Sequence, residues 1–76
     1  MPHITVKMWP GRDRETKELL AKRLEEALRE VTGVSSEAVS VVITDVPQDR
    51  WTETVVEPEI LGHKEDLFKA PGYPVE

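Results

Sequence analysis

Val39-Ser40-Val41-Val42-Ile43-Thr44-Asp45 is the stretch on which the fold turns. It is dense in β-branched side chains, which suit a pleated surface, and Pro47 stops it two residues on. Residues 39–45 therefore predict a strand, and what precedes it decides how that strand is paired.

Immediately upstream lies a helix pattern. Asp13 reads as an N-cap, able to accept a hydrogen bond from an unpaired amide of the first turn. Leu20, Leu24, Ala27, Leu28 and Val31 then recur at helical spacing as one apolar stripe. Glu18 with Lys22, and Glu25 with Arg29, are i,i+4 pairs on the wet side. Gly33 stands where a left-handed C-cap is expected.

Further upstream, residues 3–9 alternate. Ile4, Val6 and Met8 share one face, and His3, Thr5 and Lys7 the other, until Pro10-Gly11 ends the run. Strand, helix and strand in this order make a βαβ unit with parallel strands and a right-handed crossover. Downstream the pattern predicts a short helix over 48–56 broken by Pro58. A second follows over 60–69, stopped at Ala70-Pro71-Gly72. The expected fold class is α+β: one domain over 1–76, with a βαβ core at 2–46 and a helical tail at 47–76.

Two strands under one helix leave two open edges and, on this reading, an uncovered apolar face. A chain of 76 residues also buries only about 60% of its unfolded surface, and without cysteine it has no disulfide or thiolate zinc site to compensate. Self-association is the remaining route. Antiparallel pairing of two first strands gives a four-stranded sheet per homodimer.

Composition narrows the function. A formal net charge of -5, with ten basic residues scattered among fifteen acids, argues against nucleic acid as a partner. No apolar run approaches a membrane span and no signal peptide is legible, so a cytoplasmic protein that does not bind membranes is expected. His63 has no partner at a ligand spacing, so neither metal nor cofactor is expected. Ser40 has no base nearby in sequence, which speaks against nucleophilic catalysis.

Pro2 directly after Met1, the first strand, Gly11-Arg12, the capped helix and the second strand together resemble the 4-oxalocrotonate tautomerase family over about residues 2–51. The tail segment Leu67-Phe68-Lys69-Ala70-Pro71-Gly72-Tyr73 is similar to the short dimeric branch that includes phenylpyruvate tautomerase-type proteins. The resemblance implies an isomerase in which Pro2, freed by removal of Met1, is the general base. Arg12 would bind a carboxylate and Trp51 would wall the pocket. The founding enzyme has a second arginine where this chain has Ser40. Dicarboxylates are thereby disfavoured, and the expected substrate is a small 2-oxo or 2-hydroxy-enoic acid with an aryl or apolar tail. Ser40 and His3, the neighbour of Pro2, complete the candidate substrate-binding set.

Geometry constrains this site. Pro2 and Trp9 are roughly 23 Å apart along a strand at ~3.3 Å per residue, so Arg12 is out of reach of its own chain's Pro2. Antiparallel first strands would bring the two together across a dimer.

Each residue also has a plainer reading. Arg12 alone is a solvated loop arginine, Trp51 a packing aromatic, and His3, Lys7 and Arg50 wet-face side chains. Lys7 and Arg50 could instead aid substrate binding, and Tyr73 and Phe68 could close over the pocket, with tail packing the plainer reading. Two other functions stay open. A protonated proline can act as an acid in hydration, dehalogenation or decarboxylation, and the chain could instead be a non-catalytic dimeric binding domain.

Overall fold

The computed structural model describes residues 1–75. Strand β1 (His3–Met8) leads into helix α1 (Arg14–Thr32), and strand β2 (Ser40–Asp45) returns beside β1. The two strands are parallel, with His3 opposite Ser40 and Met8 opposite Asp45. Ser40 N–H donating to the Pro2 carbonyl (3.3 Å) and Val46 N–H donating to the Met8 carbonyl (2.8 Å) extend the ladder at both ends. This is the βαβ unit that the sequence predicts.

The helix begins and ends where the chain chemistry says it should. Thr16 N–H donates to Asp13 Oδ1 at 2.8 Å, and Gly33 adopts φ 79°, sending its N–H to the Arg29 carbonyl at 2.8 Å. Only glycine takes that left-handed conformation without steric cost. Among the described residues the two glutamates of the predicted ion pairs take other partners. Glu18 meets Arg14 at 3.2 Å, and Glu25 accepts a hydrogen bond from Ser36 Oγ. Long exposed side chains choose among partners worth only tenths of a kcal/mol, which local spacing does not resolve.

The Asp13 cap makes a checkable prediction. Hydrogen bonds from the Thr16 hydroxyl and then the Thr16 N–H hold the Asp13 carboxyl below its ordinary value of 3.8. A depressed folded-state pKa adds stability that is fully present above the ordinary value and is lost as pH falls through the folded one. Asp13→Ala should lower the melting temperature at pH 7. The difference between the parent and Asp13→Asn should shrink once the pH drops below 3.8. Thermal melts at pH 7 and pH 3 test both statements.

Register places Ile4, Val6 and Met8 beside Val41, Ile43 and Asp45 on the face that α1 covers. Lys17 ties the helix to this face through Asp45 at 2.9 Å. The opposite face carries His3, Thr5, Lys7, Ser40, Val42 and Thr44, so the uncovered surface is polar except for Val42. The expectation of an apolar open face fails because the strict alternation of β1 puts its hydrophobic set on one side only.

The tail departs from its prediction. Pro58 does not break a helix. It lies inside a wide helix over Thr52–Ile60, with a single turn at Gln48–Arg50 before it and a tight turn at Leu61–Asp66 after it, kinked at His63. In an α-helix the proline ring would strike the carbonyl four residues back and one N–H would be missing. A wider, i→i+5 winding relieves that clash.

The buried hydrophobic core is small. Among the described residues only Val46, Val55 and Val56 are buried. Leu20, Leu24 and Leu28 of the helix stripe are half-buried, Ala27 is exposed, and Val31 is 85% exposed. Among the described residues no helix is long and apolar enough to cross a membrane.

Candidate active site

At the C-terminal end of β1 the chain turns at Pro10-Gly11, and Gly11 takes φ 131°. Arg12 folds back so that its Nη1 donates to the Trp9 carbonyl at 3.4 Å. The turn at Gln48–Arg50 presents Trp51 to the same region, and the last described residues return there as Tyr73, Pro74 and Val75. Together these residues line a cleft of 710 Å³, within the range of small-molecule sites. Met8, Val56, Trp51 and the ring of Tyr73 make it largely apolar.

Two cations reach this cleft, and they differ. Lys7 is paired with Glu59, which cancels its charge locally. Arg12 has no carboxylate partner among the described residues, and its planar guanidinium fork is shaped for a carboxylate. The arrangement can hold an organic acid by its charged end while an apolar body lies against Trp51.

The other predicted residues gather elsewhere. Pro2 is half-buried at the start of β1. Beside it, His3 Nδ1 lies 2.6 Å from Ser40 Oγ, and His3 Nε2 lies 3.1 Å from Thr5 Oγ1. Within one chain, therefore, Pro2, His3 and Ser40 stand at one end of β1, and Arg12 and Trp51 at the other. The groups are separated by roughly 20 Å of strand at ~3.3 Å per residue.

For two cleft residues the sequence favours the plainer reading over a functional one. Lys7 reads as a wet-face lysine. Tyr73 reads as tail packing, yet it accepts a hydrogen bond from Trp51 Nε1 at 3.1 Å. Periodicity reports neighbours along one element, and a return over 22 residues leaves no periodic trace. Phe68, read in the same way, is fully exposed, and Arg50 pairs with Glu53 at 2.6 Å outside the cleft.

Comparison with known proteins gives the family. Residues 2–64 match a family described as "Tautomerase enzyme". The chain belongs to the tautomerase family. It is 45% identical over 73 residues to a probable tautomerase of Xylella fastidiosa, covering 96% of this chain and 89% of that one. Tautomerase PptA of Pectobacterium carotovorum is 38% identical over 96% of this chain and 97% of its own length. The 2-hydroxymuconate tautomerase of Bacillus subtilis is 41% identical, over 67% of this chain and 82% of its own.

A solved structure from work on the 4-oxalocrotonate tautomerase isozymes of Methylibium petroleiphilum superimposes with a TM-score of 0.63 at 32% identity. That match covers 66% of this chain and 81% of that one. As a tautomerase the protein is an enzyme of the isomerase class. The first two relatives extend over nearly the whole tail that lines the cleft, and the last two tautomerases match only about two-thirds of the chain.

Proposed function

We propose that this tautomerase interconverts the enol and keto forms of small 2-oxo acids with an aryl or apolar tail. The nitrogen of Pro2, freed by removal of Met1, acts as the general base. The working unit is a homodimer. Each site takes Pro2, His3 and Ser40 from one subunit and Arg12 and Trp51 from its partner.

One observation carries this reading: Arg12 and Trp51 share a cleft at the far end of β1 from Pro2 of the same chain. A second copy resolves the separation. Among the described residues β1 has a neighbour on one edge only, β2. Pairing two β1 strands antiparallel sets the start of one beside the end of the other. Three buried valines also leave the isolated chain short of the apolar burial that a fold needs against chain entropy. Met1 is fully exposed, so its removal meets no steric obstacle.

The chemistry follows from the groups. An α-amino nitrogen ordinarily titrates at about 7.7–8.0, nearer neutrality than a lysine at about 10.4. Apolar walls and a nearby guanidinium both disfavour the ammonium form, so free amine is available near pH 7. Arg12 holds the substrate carboxylate. The Pro2 nitrogen takes the enol hydroxyl proton, and the O–H pair becomes the C=O bond. The C=C pair then collects the same proton at carbon 3 from the ammonium, leaving the base as it began. Ser40 and His3 meet the substrate from the Pro2 side.

A monoacid suits the site. A dicarboxylate, such as the 2-hydroxymuconate named for the Bacillus subtilis relative, would have Arg12 for one carboxylate. Among the described residues lining the cleft, its other would find only Lys7, already engaged by Glu59.

The pH dependence of kcat/KM tests the assignment. With Pro2 as base, kcat/KM for an aryl enol-pyruvate rises with pH as the amine loses its proton. A profile that falls over the same limb assigns Pro2 the role of acid and overturns the reading. Intact mass must show the loss of one methionine in the active protein.

A further inference from the structure

We infer that Tyr73 is a specificity-determining residue: through its hydrogen bond to Trp51 it fixes the aromatic wall that selects an aryl substrate body. This rests on the reading of the cleft as the substrate site.

Trp51 Nε1 can only donate, and its indole is half-buried along the cleft, so the N–H needs an acceptor. Among the described residues the acceptor is Tyr73 Oη at 3.1 Å. Tyr73 lies outside regular secondary structure, between Pro71 and Pro74. Proline fixes φ at both sites, which stiffens the approach of the segment and lowers the entropy lost in holding it. The bond therefore does two things at once. It orients the indole face, and it keeps Tyr73, Pro74 and Val75 against the cleft that also holds Arg12.

A short aliphatic acid anchored on Arg12 has little surface to place on this wall. An aryl acid has a ring to stack on the indole, and aromatic pairs gain energy beyond simple burial. Selection for an aromatic body then depends on the tail that brings Tyr73, Pro74 and Val75 to the cleft.

The test uses the full-length dimer and 3-phenylpropanoate, an aryl acid without the 2-oxo group, titrated by tryptophan fluorescence. Tyr73→Phe keeps the ring and removes the acceptor, and Kd should rise about 3- to 10-fold. Tyr73→Ala also removes apolar surface and should raise it further. In a Trp51→Phe background, with Trp9 as the remaining reporter in the cleft, Tyr73→Phe should add nothing, because the two side chains act as one unit. In turnover of an aryl enol-pyruvate the effect of Tyr73→Phe should fall on KM rather than kcat.

The assignment is overturned if both Tyr73 variants bind 3-phenylpropanoate as tightly as the parent. It is equally overturned if Tyr73→Phe weakens binding as much without Trp51 as with it. Shifted binding in a protein that shows no tautomerase turnover would instead sink the proposed reaction and leave the wall in place.

Discussion

Pro2→Ala is expected to lower kcat/KM for an aryl enol-pyruvate by about 10²–10⁴-fold, the usual contribution of a positioned general base. The substitution keeps a terminal amine and removes the ring. What it deletes is the direction of the nitrogen, which the pyrrolidine and the Ser40 N–H bond to the Pro2 carbonyl hold in place. Side chains that hold the chain together elsewhere are untouched, so the oligomer should survive, as sizing of the variant would show. A bulkier second residue is the harsher control. Pro2→Leu should block methionine removal, leave an amide at this nitrogen and abolish the remaining base. Parent-like kinetics in Pro2→Ala would remove Pro2 from the reaction.

Arg12→Ala should cost about 10- to 100-fold in kcat/KM, mostly through KM, because hydrogen bonds between charged groups contribute about 1.5–3 kcal/mol. Arg12→Lys should restore only part, since a point charge does not reproduce a two-oxygen fork.

The sharper result comes from mixing. Measured as kcat/KM, Pro2→Ala alone is expected to keep about 1% of the parent value or less and Arg12→Ala alone about 1–10%. Unfolded together and refolded, they pair at random, and each mixed dimer has one site with both residues intact. Two-fold symmetry then gives recovery of about a quarter of the parent activity. If Pro2 and Arg12 worked within one chain, no pairing could repair either defect. A mixture proven to contain mixed dimers that shows no kcat/KM above the mean of the two variants therefore rejects the shared site.

How much of this was legible in the sequence depends on the reach of each signal. Asp13, the leucine stripe and Gly33 delimit α1 because capping and periodicity act within a turn or two. Alternation found β1, and β-branched density found β2. The tail failed at Pro58, where the rule that proline ends a helix holds for α-winding and is evaded by a wider one.

The candidate site was legible in part. The cleft does join Arg12 and Trp51, and Ser40 does meet His3, since parallel pairing of the strand starts puts them face to face. The bond of Tyr73 to Trp51 was not legible, because it depends on how the chain returns 22 positions further on. Lys7 shows a different limit: the sequence gives its charge, and only the fold gives Glu59 beside it.

Because α1 contains no buried residue and, among the described residues, three valines make up the buried hydrophobic core, the unfolding midpoint should be a property of the solution as much as of the chain. When folding is completed by association, each tenfold rise in protein concentration adds about 1.4 kcal/mol to the free energy that opposes unfolding. Melting temperature should therefore climb on a logarithmic scale of concentration. Stability comparisons between variants carry meaning only at matched molarity, and the high dilution of a steady-state assay lowers the melting temperature of the very sample being assayed.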